Sequence, residues 1–379
     1  MRVHVLDKKM LKGKMAEYFF LFTENEQIDT SKKLVIFGAG SCGCELRYPL
    51  ANYLRKNYSP LPQNPIHAYI DNNSEIAGRQ ISGIEVMSPQ IIKANPNDYY
   101  IVIAASLVHS PWIKRQLLNY GVCEKDLAFY IPITTMDFEL FGNKSYVDSV
   151  ISAFTDAYKH IPLIDIDLNR LTIWISAIEW SNHLCKWILC DFNGRKNIRM
   201  LDIGPGMGIQ SIALKKLLDI TWIDVIECRN VPAEYASDNF RHLEENFNIN
   251  LEQGNIETIE CDFKEGFDII LFSQVLEHFH YHPVATMEKI ISWLKPGGKL
   301  YLGVPDNRIR KGPRYYDTWK EMPIYDPKHP LKITEYGHQF EYYYEEAIDL
   351  FDELKLQIER FERTTNDVDM LFTLKPGFP

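Results

Sequence analysis

Paired cysteines are missing from this chain. Its 379 residues include seven cysteines (Cys42, Cys44, Cys123, Cys185, Cys190, Cys228 and Cys261), an odd number at irregular spacing with no C-x-x-C pair. This excludes a disulfide framework or a structural zinc ribbon and suits reduced thiols. Excess positive charge is also missing: 41 Lys and Arg against 51 Asp and Glu leave a net charge of −10. Clustered cations are what a nucleic-acid binder sets against phosphates, so no nucleic-acid partner is expected. No apolar run reaches the roughly 18 residues of a membrane span. The opening Met1-Arg2-Val3-His4-Val5-Leu6-Asp7 has no uninterrupted apolar stretch, and Tyr18–Phe22 is too short to be a leader's core. Low-complexity tracts are absent. The expectation is a soluble, cytoplasmic protein with no membrane partner, and a homo-oligomer stays open.

What is present is length and apolar content. The chain is 46% hydrophobic and too long for one ordinary core, which suggests two domains. Lys33–Phe37 reads as a strand running into Gly38-Ala39-Gly40-Ser41-Cys42-Gly43, followed by Leu46, Leu50 and Leu54 at helical spacing. Two more strands, Ile66–Ile70 ending at Asp71 and Tyr100–Ala104, precede a helix over Trp112–Tyr120. Alternating strands and helices with short turns imply a parallel sheet covered on both faces.

A second such unit begins near residue 197. The apolar strand ending in Leu201-Asp202-Ile203 enters Gly204-Pro205-Gly206-Met207-Gly208, and a helical pattern follows through Ile212, Leu214 and Leu217. Glycines at such a turn let backbone approach a ligand closely. A second strand then ends in Glu227, where an acid faces the ribose of a bound nucleoside. Either a dinucleotide or an adenosyl group would suit this unit, and the G-x-G-x-G spacing departs from the dinucleotide fingerprint G-x-G-x-x-G. Between the two units, residues 136–196 show apolar residues at helical steps and read as a helical connector. The expected organisation is α/β: two Rossmann-like doubly wound sheets over 1–135 and 197–379, joined by that connector.

The Asp202–Gly208 run, together with Phe267–His278 and Lys295-Pro296-Gly297-Gly298-Lys299-Leu300, resembles class I S-adenosylmethionine-dependent methyltransferases over residues 170–379. The resemblance implies that Asp202, Gly204, Pro205, Gly206, Met207 and Gly208 cradle the amino-acid end of S-adenosylmethionine. Glu227, with Cys228 beside it, would take the ribose hydroxyls. Asp262, after the apolar stretch Ile256–Cys261, would meet the adenine amino group with Phe263 against the ring, and Ser273 and Gln274 would lie near the methyl group. Residues 30–132 resemble the nucleotide-binding N-terminal domain of bacterial nucleotide-sugar acetyltransferases. Gly38, Gly40, Gly43 and Asp71 are then candidates for a nucleotide site, with packing or dimerisation as the alternative role.

After the fifth strand, Arg308, Arg310, Lys311 and Arg314 lie beside Tyr315, Tyr316 and Trp319. Cations next to aromatic rings suit an acceptor with an anionic group and a face to stack, such as a nucleotide sugar. Candidates for the base that deprotonates an acceptor hydroxyl are His278, then His338, with Asp306 the carboxylate alternative. No metal is expected: His278, His280 and His282 at steps of two converge poorly on a helix. Some ubiquinone-pathway O-methyltransferases hold magnesium on an acid followed by Glu-His, but here the acid's position is Gln274. The leading expectation is O-methylation of a sugar or nucleotide sugar. The alternatives are a small aromatic or quinone-like acceptor with a structural first domain, or a non-catalytic scaffold.

Overall fold

The structure is a computed structural model. It describes the chain except residues 1, 11–14, 26, 59, 106–108, 138–151, 153–183, 207, 228–240, 262, 264–265, 332–336, 365–367 and 378–379. The chain divides into two compact units, residues 1–143 with 154–176 and residues 144–153 with 177–379. Most of the expected connector lies outside the described residues. Its helical residues 184–192 belong to the second unit, and the strand ending at Asp137 belongs to the first.

The first unit is an eight-stranded sheet in the order β1-β2-β8-β7-β3-β4-β6-β5. Its centre is parallel: β3 (Lys33–Phe37) lies between β4 (Ile66–Ile70) and β7 (Tyr99–Ile103), with β6 (Ile84–Met87) and β8 (Leu127–Asp137) outside them. These central strands are buried nearly throughout, as strands covered on both faces must be. Helix Ser41–Asn57 turns Leu46, Leu50 and Leu54 onto the sheet, each burial stabilising by about 2 kcal/mol. Several strands had no sequence expectation. The antiparallel hairpin β1 (Arg2–Met10) and β2 (Met15–Thr23) extends the sheet beyond β8. The ribbon of β5 (Gln80–Ile81) with β6 turns on Ser82 and Gly83, both at positive φ, as a two-residue hairpin turn requires.

The second unit is a seven-stranded sheet in the order β11-β10-β9-β12-β13-β15-β14. Strands β9 (Ile198–Ile203), β10 (Ile220–Glu227), β11 (Asn250–Gln253), β12 (Phe267–Ser273) and β13 (Leu294–Pro305) run parallel. β15 (Asp369–Pro376) inserts antiparallel between β13 and β14 (Leu356–Arg363). Lys295–Gly298 is an irregularity in the pairing that opens β13. Asp191 ties helical residues 184–192 to the sheet by accepting from Tyr301 (2.7 Å), Lys299 (3.0 Å) and Arg360 (2.6 Å). The strand order reverses between β9 and β12, and a doubly wound sheet opens its ligand crevice at that switch point, beyond the carboxyl ends of the strands. Among the described residues no helix is long and apolar enough to cross a membrane.

Candidate functional site

A cavity of about 250 Å³ occupies that crevice. Its walls come from the carboxyl ends of four strands: Ile203, Gly204 and Gly206 after β9, Ile226 of β10, Gly254–Glu257 after β11, and Gln274 and Val275 after β12. The turn over Leu276–His278 closes it with His278, Phe279 and His280.

The glycine turn is shaped by two different demands. Gly204 sits at φ +69°, and a Cβ there would run into the Val275 side chain, so packing alone requires it. Gly206 also has a positive φ, +54°, yet nothing stands within 4 Å of where its Cβ would be; a side chain there would project into the cavity it lines. Gly208 donates to the Pro205 carbonyl (2.8 Å) and accepts from Ile212, which starts helix Ile209–Leu217. Asp202 is buried at the end of β9, and its Oδ2 accepts from Ser211 Oγ at 2.6 Å. Burial pushes the Asp202 carboxyl up to about 7, against the stabilising Ser211 hydrogen bond.

Glu227 ends β10 opposite Gln253; its side chain, like Met207, Cys228 and Asp262, lies outside the described residues. The third strand of this sheet is Asn250–Gln253, ahead of the apolar stretch Ile256–Cys261. The strand's tip is therefore Gly254-Asn255, and Asn255 lines the cavity. Only four residues long and mostly polar, β11 carries no hydrophobic signal by which a sequence reading would find it. Phe263 packs edge-on against Phe267 (5.0 Å) and Trp293 (4.9 Å), among the aromatic residues of the core. Ser273 is the last residue of β12, and Gln274, at φ +58°, reaches the cavity with its Nε2 buried and without a partner.

His278 and His338 meet edge to face, ring centroids 4.6 Å apart. Between them is Glu277, fully buried, with neither carboxylate oxygen hydrogen-bonded. Burial, with the Asp369 and Glu341 carboxylates adding to it, pushes the Glu277 carboxyl up to about 8. His338 Nδ1 lies 2.6 Å from Oε1 of buried Glu341. The other two histidines of the run diverge: His280 lies against Glu257 (3.6 Å) and His282 against the Trp319 ring. Asp306 is fully buried and occupied. It caps the turn Asn307–Arg310 and accepts from Arg308 (3.0 Å) and Arg363 (3.1 Å).

The rim arginines each face a carboxylate. Arg308 pairs with Asp306, Arg310 lies 3.8 Å from Asp369, and Arg314 makes a bidentate pair with Glu346 (2.6 and 2.7 Å) while stacking on Phe340 and Tyr343. Tyr315 is exposed and Tyr316 packs against the core. In the first unit, Asp71 is occupied by the glycine turn, its Oδ2 accepting from Ala39 N (2.8 Å) and its Oδ1 from Asn73 N (2.9 Å). A Cβ on Gly38 would strike the Ala104 carbonyl and one on Gly43 the Gly38 carbonyl, whereas Gly40 is exposed with open space around it.

Residues 181–356 match the family model described as a methyltransferase domain. Among curated proteins, the chain is 28% identical over 119 residues to a ubiquinone biosynthesis O-methyltransferase of Pseudomonas fluorescens, covering 31% of this chain and 47% of the relative. It is 30% identical over 105 residues to the protein of the same name from Xanthomonas euvesicatoria, covering 27% and 41%. The chain thus spans less than half the length of these relatives. Among solved structures, it is similar to the N-methyltransferase NodS from Bradyrhizobium japonicum in complex with S-adenosyl-L-homocysteine, at 15% identity and a TM-score of 0.38, covering 61% of this chain and 99% of that one. Residues 181–356 are therefore a methyltransferase domain.

Proposed function

We propose that this chain is an S-adenosylmethionine-dependent O-methyltransferase whose acceptor is a small molecule, a sugar or nucleotide sugar. The observation that carries the reading is the cavity itself, with the glycine turn after β9 on one wall and His278 after β12 on the other. Methyl transfer from a sulfonium is an in-line displacement, so the protein must hold donor and acceptor close and let the hydroxyl lose its proton. In this reading Asp202 and the turn Gly204–Gly208 hold the amino-acid end of the donor, Glu227 the ribose and Asn255 the adenine edge. The acceptor hydroxyl meets the methyl group beside Gln274 and His278, and its proton leaves toward the His278–His338 pair. The sugar component is supported by the sequence pattern of the first unit, where the outward-facing Gly40 is the position at which a ligand's phosphates would approach.

A second acceptor class is favoured by a specific observation. Arg308, Arg310 and Arg314 already face Asp306, Asp369 and Glu346, so an anionic acceptor would have to compete with those carboxylates. A neutral aromatic or quinone-like acceptor would not, and the curated relatives carry a ubiquinone-pathway name. Methyl transfer from labelled S-adenosylmethionine to a panel of nucleotide sugars, free sugars and catechols separates the two. Turnover of sugars supports the first reading, turnover confined to catechols supports the second, and turnover of neither contradicts both.

A further inference from the structure

We propose that Glu257 is a positioning residue that couples the cofactor wall of the cavity to its acceptor wall, so that a bound S-adenosyl cofactor raises affinity for the acceptor. The coupling rests on the reading above, in which the loop after β11 holds the adenine edge and the turn after β12 meets the acceptor. Glu257 lies on that loop and is buried. Its Oε1 accepts from His280 N at 2.9 Å and from Tyr281 N at 2.8 Å, and its Oε2 is 3.6 Å from His280 Nδ1. Its own N–H donates to Asn255 Oδ1 at 2.8 Å, which fixes the Asn255 carboxamide in the cavity wall. A single residue thus joins Asn255 to the turn that carries His278.

A second contact runs the other way between the same two segments. Lys289, on helix Pro283–Ser292 just after the turn, donates from Nζ to the Ile256 carbonyl at 2.6 Å and to the Ile259 carbonyl at 3.0 Å. The loop cannot shift alone, because doing so would strip these partners from a buried carboxylate and from a half-buried ammonium. The turn is tied in the same manner to the insert between β13 and helix Tyr344–Glu353. Gln339 N and Phe340 N donate to the Glu277 carbonyl at 2.7 and 3.1 Å, Leu331 N to the Tyr281 hydroxyl at 2.7 Å, and His282 N to the Pro323 carbonyl at 2.8 Å. That insert carries the rim arginines and His338. Leu331, Gln339 and Phe340 stand outside the cavity lining, so their amides report on the turn and not on direct contact with a ligand.

The coupling is one of ordering. A cofactor that immobilises the loop also immobilises the turn through Glu257, and the insert through the turn. The acceptor then meets a wall that has already lost its conformational freedom, and it binds more tightly. By linkage the acceptor tightens the cofactor by the same factor, and such couplings amount to about 5- to 150-fold.

The test is amide hydrogen exchange of the full chain with and without S-adenosylhomocysteine, alongside calorimetry of the same ligand. In the wild type, exchange at Leu331, Gln339 and Phe340 should slow about fivefold or more when the ligand is added. The slowing should be lost in Glu257→Ala and kept in Glu257→Gln, whose amide oxygen can still accept from His280 and Tyr281. With an acceptor from the panel above at saturating S-adenosylmethionine, Glu257→Ala should raise acceptor KM about fivefold or more and change kcat less, and Glu257→Gln should restore KM. Protection in the wild type that stops at the cavity walls, with the ligand bound, overturns the coupling and leaves the proposed function standing; this arm needs no variant to fold. Full slowing at Leu331, Gln339 and Phe340 in a folded Glu257→Ala overturns it as well. A wild type that binds no S-adenosylhomocysteine contradicts the proposed function and the coupling together.

Discussion

Ser211 Oγ donates a 2.6 Å hydrogen bond to Asp202 Oδ2, joining the first helical turn after the glycine loop to the end of β9 where both side chains are buried. Burial raises the Asp202 carboxyl to about 7 from its ordinary 3.8. The folded state therefore holds a proton that the unfolded chain has released. Asp202's contribution is complete below about pH 4 and is lost as pH rises to about 7. The loss is on the order of 4 kcal/mol, and no further change from this group follows above that window. Urea unfolding of wild type and Asp202→Asn between pH 5 and 8 measures it. The variant should lack the wild type's decline, and parallel curves would contradict the assignment.

Gly204 and Gly206 should respond differently to alanine. At Gly204 the new Cβ meets Val275, so Gly204→Ala should destabilise the protein by about 1–3 kcal/mol. At Gly206 the Cβ has open space, and the left-handed backbone alone costs about 1 kcal/mol. Gly206→Ala should therefore melt near the wild type but bind S-adenosylhomocysteine at least tenfold more weakly. Thermal melts with calorimetry check both; unimpaired binding in Gly206→Ala would remove the turn from the ligand site.

Arg314 is held by the two oxygens of Glu346 and by the faces of Phe340 and Tyr343. Replacing it should act on stability before it acts on the acceptor. Arg314→Gln is expected to destabilise by about 1–2 kcal/mol, since the pair is partly exposed. Any rise in acceptor KM should be the same for neutral and anionic acceptors. A KM increase confined to anionic acceptors, steepest at low salt, would show that the rim reads charge.

In the first unit, packing accounts for Gly38 and Gly43 and leaves Gly40 facing outward. If that turn holds a nucleotide, hydrogen exchange at 38–44 in the full chain should slow when a nucleotide sugar is added without S-adenosylmethionine. Unchanged exchange across a panel of nucleotides would leave the turn a packing element.

The parts of the fold legible in the sequence were those with strong local signals. The buried strands Lys33–Phe37 and Ile66–Ile70 are largely apolar runs followed by glycine or acid, and β9 and β12 are largely apolar as well. β11 had no sequence expectation, because a four-residue, mostly polar strand at a sheet edge has no periodicity to detect. The structure places Asn255, beyond its tip, on the cavity wall. The meeting of Glu277, His278 and His338 was equally hidden, because sixty residues separate its halves and only tertiary hydrogen bonds bring them together. Spacing within His278-Phe279-His280-Tyr281-His282 drew attention to neighbours that the fold sends in three directions. The rim arginines showed the converse limit: the sequence displays the cations but not the carboxylates that hold them.

The central claim is that the second unit binds an S-adenosyl cofactor across the switch point between β9 and β12. Calorimetry of S-adenosylhomocysteine with the full chain, wild type against Glu227→Ala, tests it most directly. The account predicts one site in the wild type and at least a tenfold loss in the variant, because a ribose held by two charge-assisted hydrogen bonds loses up to about 1.5–3 kcal/mol for each. No binding by the wild type, or equal affinity in the two proteins, would contradict it.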